Sequence, residues 1–251
     1  MAYNPYSLNG KTVLVTGASS GIGQTTAIEC SKMGATVLIT GRNEERLINT
    51  LHSLEGEGHS MVLANLDEEE GIEKIVETTP LLDGVVSNAG IGIGTKPAIF
   101  YKKKELEQIY TTNTISAVLL LKGLAKKKKI NNPSSVVFTS SIEGNSITSI
   151  GNGLYGMSKA ALTAYAKTAA LELAPRGIRC NVVTPGMVKT PLTAPTGELT
   201  QAQLDLNAAK YPLGRYGNPE DVSWGIIYLL SNAACWITGS ILKIDGGITL
   251  V

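Results

Sequence analysis

Histidine is nearly absent: His52 and His59 are the only two in 251 residues. A serine hydrolase needs a histidine that follows its serine and sits at the ligand end of the sheet. Gly17-Ala18-Ser19-Ser20-Gly21 does match the G-x-S-x-G nucleophile elbow. His52, however, falls inside a predicted helix, and His59 opens a predicted strand, at the wrong end. Cysteine is also sparse. Cys30, Cys180 and Cys235 are odd in number and far apart, with no C-x-x-C. That excludes a disulfide framework and predicts reduced thiols packed as small hydrophobes in a cytoplasmic protein. The net charge of +1 supplies no global field for nucleic acid. No apolar run is long enough to span a bilayer. Met1-Ala2-Tyr3-Asn4-Pro5 lacks a charged segment followed by an apolar one, so no signal peptide is expected. Gly10-Lys11-Thr12 has no upstream glycine and is not a P-loop. No metal site is expected, and there is no internal repeat.

What remains is a chain with 43% hydrophobic and 17% charged residues, ordinary for a globular protein. Its length suits one large α/β domain over 1–251, and no boundary interrupts it. Apolar, β-branched runs predict strands at 11–16, 36–40, 60–64, 82–87, 136–139, 178–184 and 240–244. Helices are predicted at 24–33, 43–54, 68–78, 101–129 (bent near 111–113), 154–173 and 220–231. Strands alternating with helices argue for a doubly wound, mainly parallel, seven-stranded sheet with helices on both faces. Residues 187–217 carry Pro191, Pro195 and Pro212 and no strand pattern. They read as a loop with an embedded short helix, a lid over the site.

The polar candidates fall just after strand ends, where ligands bind in such sheets. Gly17, Ser19, Ser20, Gly21, Ile22 and Gly23 join the first strand to the first helix. A tight glycine turn there lets backbone N–H groups meet a pyrophosphate. The second strand of a Rossmann unit usually ends near an acid that holds the ribose of NAD. Here Gly41-Arg42 stands in that place, and an arginine can pair with a 2′-phosphate. NADP(H) is therefore favoured, with NAD(H) as the alternative. Tyr155 and Lys159 lie one turn apart on one face of the Ala-rich helix. The ammonium is expected to lower the phenol's pKa and suit it to proton transfer.

Taken in order, these pieces resemble the short-chain dehydrogenase/reductase family over nearly the whole chain. They are Thr16-Gly-x-x-x-Gly21-x-Gly23, Asn88-Ala89-Gly90, Asn113, Ser141, Tyr155-x-x-x-Lys159, Pro185-Gly186 with Thr190, and Asp245-Gly246-Gly247. The resemblance implies hydride exchange between a nicotinamide cofactor and a carbonyl or alcohol. It casts Tyr155 as general acid, Lys159 as its modulator and ribose contact, Ser141 as the substrate-oxygen anchor, and Asn113 as holder of a water that links Lys159 to solvent. Asn65 and Leu66 fall at the adenine, and Val188 with Thr190 at the carboxamide. Asn88, Ala89, Gly90, Pro185 and Gly186 complete the expected cofactor contacts. Three features depart from the family pattern: Ser87 precedes Asn88-Ala89-Gly90 where a second Asn is frequent, Asn65 stands where an Asp is common, and the Ser141–Tyr155 spacing is one residue longer than usual. The extra residue enlarges the 144–153 loop, which borders the substrate.

Within the family the chain is most similar to the reductases of β-ketoacyl groups carried on acyl carrier protein, through Pro212-Leu213-Gly214-Arg215 and Gly217-Asn218-Pro219-Glu220-Asp221. Sugar, polyol and steroid dehydrogenases share these pieces and are the alternative. More remote are a cofactor-binding sensor without turnover, disfavoured because Tyr155 and Lys159 are both retained, and the serine hydrolase above. Lys126-Lys127-Lys128-Lys129 and Arg176 either dock an acidic carrier protein or complement a helix C-terminus. The resemblance also implies a homotetramer, with interfaces from helix 114–125, the catalytic helix and the C-terminal segment.

Overall fold

Val13, Leu14 and Val15 form an unbroken apolar run, and such a strand must bury both faces. The computed structural model, which describes residues 3–193 and 201–251, shows how. Leu14 packs into one core with Leu38, Val85, Val136 and Phe138. Val13 and Val15 pack into a second core with Val37, Ile39, Val86 and Val137. Seven strands carry this alternation: β1 (Thr12–Thr16), β2 (Thr36–Gly41), β3 (Ser60–Leu63), β4 (Leu82–Ser87), β5 (Ile130–Thr139), β6 (Ile178–Pro185) and β7 (Ile241–Ile244). They form one sheet in the order β3-β2-β1-β4-β5-β6-β7, with every neighbouring pair parallel.

Helices cover both faces. Three of them, α3 (Glu69–Thr78), α5 (Ser116–Lys126) and α6 (Gly153–Leu173), bring Ile75, Leu120, Leu124, Leu162 and Ala166 to the first core. On the other face α1 (Gly21–Lys32) and α8 (Pro219–Leu230) bring Ala27, Cys30, Val222 and Ile226 to the second. Between those two helices the buried hydroxyls of Thr26 and Ser223 meet at 3.0 Å. The remaining helices are α2 (Glu44–His52), α4 (Lys103–Tyr110) and α7 (Gln201–Ala208).

The fold class matches the sequence-based expectation, and the differences are local. The bent helix expected over 101–129 is three pieces: α4, a π-helical turn Thr111–Ile115, and α5. The chain then turns at Lys128, where φ is 55°. The fifth strand begins at Ile130 rather than 136. Asn131-Asn132-Pro133 reads as loop by composition, but Ile130 pairs with Leu82 and the Asn131 amide donates to Asp83 Oδ1 at 2.7 Å. The helix at 201–208 falls inside the 187–217 segment, and the two ends of that segment are tied by a parallel bridge between Val188 and Gly217. Pro195 lies outside the described residues.

The strand order turns back between β1 and β4, so the crevice beyond their carboxyl ends is where such a sheet binds ligands.

Candidate active site

That crevice is a cleft of about 520 Å³, lined from the glycine turn at one end to Tyr155 and Lys159 at the other. The turn takes its shape from Gly17 (φ 65°) and Gly21 (φ 57°), a region costly for residues with a Cβ. A Cβ on Gly23 would sit 2.3 Å from Gly17 O. Ser20, at the N-cap of α1, makes no side-chain cap bond, and no acid lies in the first turn. The positive end of the helix and its free N–H groups are thus left for an anion. Asn88 secures the turn from the next strand. Its N–H donates to Thr16 Oγ1 at 2.9 Å and its amide to Thr16 O at 3.2 Å.

At the far side of the turn Arg42 is 66% exposed and 3.9 Å from Asp67. Arg46 lines the same cleft, as do Asp67, Ile91, Thr139, Leu192 and Thr193, none of which stood out in the sequence. For Arg46 the signal was available: it stands four residues after Arg42, in the first turn of α2. Asn65 lines the cleft with Leu66, but its side chain is engaged locally, accepting from Asp67 N at 3.2 Å and donating to Glu68 at 2.8 Å. Asp67 Oδ1 and Thr139 Oγ1 are buried polar atoms without a partner.

The other end is built on α6. Lys159 is 3% exposed, and its ammonium donates to Thr139 O at 2.9 Å, 5.8 Å from the centre of the Tyr155 ring. Burial depresses its pKa to about 8. The expectation for Tyr155 is corrected here. Burial is the largest influence and pushes the phenol up, a hydrogen bond with Ser141 lowers it, and the Glu143 carboxylate raises it. Lys159 is not among the causes: with its own pKa pulled down to about 8, it is already neutral when the phenol, raised above its ordinary value, loses its proton. Ser141 Oγ accepts from Glu143 N at 3.1 Å, which leaves its proton for the bond to the phenol oxygen that lowers the Tyr155 pKa.

Asn113 sits in the π-helical turn, 1% exposed. Its oxygen accepts from Ile91 N at 2.7 Å, and its amide donates to Ile91 O and Ser158 Oγ, both at 3.0 Å. These contacts fix the segment after β4 against α6. A Cβ on Gly90 would be 3.2 Å from both Asn113 Oδ1 and Lys159 Nζ, so Ala89 and Gly90 let the two side chains approach. Across the cleft, Pro185, Gly186, Val188 and Thr190 form the wall from β6, and Thr190 faces Gly21. Asp245 serves the fold from behind: its carboxylate accepts from Gly247 N and Thr249 N, and its Cα packs against Gly186.

No histidine lines the cleft among the described residues. His59 is held at the other end of the sheet, accepting from Val37 N at 3.0 Å. The described residues contain no group of three or more His, Cys, Asp or Glu placed to hold a metal, and no helix long and apolar enough to cross a membrane.

Comparison with known proteins agrees with this geometry. The sequence model of the family described as enoyl-(acyl carrier protein) reductase matches residues 17–249. The 3-oxoacyl-acyl-carrier-protein reductase FabG of Rickettsia prowazekii is 37% identical, over 97% of this chain and 99% of its own. Among solved structures, a short-chain type dehydrogenase/reductase from Mycobacterium marinum superposes with a TM-score of 0.88 at 30% identity, covering 98% of each chain. The Pseudomonas aeruginosa RhlG/NADP active-site complex gives 0.89 at 30% identity, over 98% of this chain and 100% of that one.

Proposed function

The chain belongs to the short-chain dehydrogenase/reductase family and is an NAD(P)-dependent oxidoreductase; from that premise we propose that it uses NADPH to reduce the ketone of a 3-oxoacyl thioester to a secondary alcohol. The observation that carries the reading is the convergence, in one cleft, of the open N-terminus of α1, two arginines at its adenosine end, and Ser141, Tyr155 and Lys159 at the other. The residues present fit the cofactor. The glycine cradle has no room for a Cβ at Gly23, and Asp67 Oδ1 and Thr139 Oγ1 are polar atoms awaiting partners.

In this reading Gly17, Ser19, Ser20, Gly21, Ile22 and Gly23 hold the pyrophosphate, and Arg42 with Arg46 the 2′-phosphate. Asn65 and Leu66 flank the adenine. Ala89, Gly90, Pro185, Gly186, Val188 and Thr190 shape the nicotinamide end, and Asn88 keeps the glycine turn in place. The nicotinamide, when bound, supplies the hydride. Ser141 donates a hydrogen bond to the substrate carbonyl oxygen. Tyr155, kept protonated by burial, delivers its proton to that oxygen as charge develops there. Lys159 stands behind the phenol and returns it toward the neutral form. Asn113 acts by positioning, holding the backbone at 91 against α6.

The 187–217 segment serves as a lid, hinged where Val188 pairs with Gly217. The carrier of the substrate is acyl carrier protein, a reading supported by the FabG relatives and by exposed Lys126, Lys127 and Lys128 beside Arg176. Lys129 is committed elsewhere, donating to Thr79 O at 2.7 Å at the end of α3. The protein works in the cytoplasm. The test is NADPH oxidation against acetoacetyl thioesters, keto-sugars and ketosteroids, with Tyr155→Phe alongside. Thioester turnover lost by at least about a hundredfold in Tyr155→Phe, with NADPH still bound, supports the reading. Turnover by that variant within a few-fold of the parent would refute it.

A further inference from the structure

Among the described residues, only two carboxylate or ammonium side chains are buried, Glu143 at 7% exposure and Lys159 at 3%. Lys159 lies one turn past Tyr155 and Glu143 packs on Gly156, the residue after it, and among the described residues neither pairs with an opposite charge within 4.0 Å. A buried, unpaired carboxylate is expensive, so its partners indicate what it is for. Its two oxygens are spent on one residue: Glu143 accepts from Ser149 N at 2.5 Å and from Ser149 Oγ at 2.8 Å. These bonds close residues 144–148 into a compact turn, in which Asn145, Ser146 and Ile147 all donate to Ile142 O. The turn is pressed onto α6 one residue past the phenol. A Cβ on Gly144, whose φ is +79°, would meet Gly156 O at 2.1 Å, and a Cβ on Gly156 would meet Glu143 Cγ at 3.5 Å. From the other end of the same residue, Glu143 N donates to Ser141 Oγ at 3.1 Å.

We propose that Glu143 is a positioning residue for the reduction. It ties the enlarged loop to the start of α6 through Ser149, so fixing Ser141 and the substrate-side wall, and it sets a negative charge next to the residue that follows Tyr155 on the helix. The other charges facing the phenol are Lys159 on α6 and the Lys96–Glu105 ion pair, which lines the small recess beside Tyr155. Burial and Glu143 hold the phenol's proton in place, while Lys96 and Glu105 offset one another.

This inference rests on the acid role given to Tyr155, so its test has a part that needs no turnover. The phenolate ultraviolet absorbance of the parent minus that of Tyr155→Phe, followed against pH, reports the Tyr155 phenol alone. The same difference taken in a Glu143→Gln background should titrate at least about half a pH unit lower, because a negative charge has been removed beside it. The alkaline limb of kcat/KM should move the same way. Ser149→Ala keeps the charge and loosens the loop: KM should rise at least about threefold while the alkaline limb stays in place. Glu143→Asp, which keeps the charge on a shorter arm, should return the limb to the parent position and retain the raised KM. An unmoved phenol titration in Glu143→Gln, or a parental KM in Ser149→Ala, overturns the proposal. A shifted phenol titration in a protein that reduces none of the substrates above would sink the proposed reaction and leave the electrostatic role of Glu143 standing.

Discussion

Lys159 shows what a single side chain costs in this fold. Its pKa falls from 10.5 to about 8 because the ammonium is buried with a carbonyl, not a carboxylate, as its partner. Holding that charge costs roughly 3 kcal/mol. Arg42 is the opposite case, an exposed side chain whose worth depends on its ligand. A charge-assisted bond to a phosphate contributes on the order of 1.5–3 kcal/mol. Arg42→Asp should therefore weaken NADPH by about tenfold to a hundredfold and leave NADH within a few-fold, as measured by fluorescence titration of both cofactors. An unchanged NADPH-to-NADH ratio would remove Arg42 from the phosphate site. At this scale the shared placement of Tyr155, Lys159, Ser141 and Arg42 beyond strand ends facing one cleft was legible in the sequence. The direction of the phenol's titration was not, because spacing along a helix shows adjacency and says nothing of desolvation.

Among the elements, the glycine turn with α1 is the most constrained. Gly23 touches the carbonyl of Gly17 and the amide of Asn88 so closely that any Cβ forces the turn open. Gly23→Ala should raise the NADPH Kd by at least about tenfold while the far-ultraviolet circular dichroism of the protein stays that of the parent. Parental affinity would mean that the turn does not hold the pyrophosphate. This element was readable from its sequence because strand, glycines and helix are contiguous. The π-helical turn at 111–115 was visible only as a bend. Its cause is remote: Asn113 reaches the backbone of Ile91, and Thr114 Oγ1 donates to Ser158 O at 2.9 Å. The early start of β5 is of the same kind, since Asn131 finds its partner in Asp83, on another strand.

For the whole molecule, the exposed apolar residues separate chain core from candidate interface. Helix 114–125 divides: Leu120, Leu121 and Leu124 are core of this chain, while Ile115 is 45% exposed. Met157 and Leu171 on α6 are 48% and 79% exposed, and Trp224 on α8 is 58% exposed. We propose that these residues are buried between copies of the chain in a homotetramer. Size-exclusion chromatography with light scattering should give about four times the 26.4 kDa chain mass. A monomer at micromolar concentration would sink the assembly.

The amino-acid sequence alone determined the alternation of strands and helices, the parallel sheet and the residues of the cofactor turn. Each of these depends on contacts between neighbours in the chain or on which faces must be buried. Only the tertiary structure decided which distant groups share a cleft. It spent the Asn88 amide on the backbone of Thr16 and the Asn113 amide on the backbone of Ile91. It also turned the Lys159 ammonium to a carbonyl and packed the buried Glu143 on the residue after Tyr155. The physical reason is that the charge state of a group depends on how much water has been removed around it and by what, and that is a property of the packed molecule.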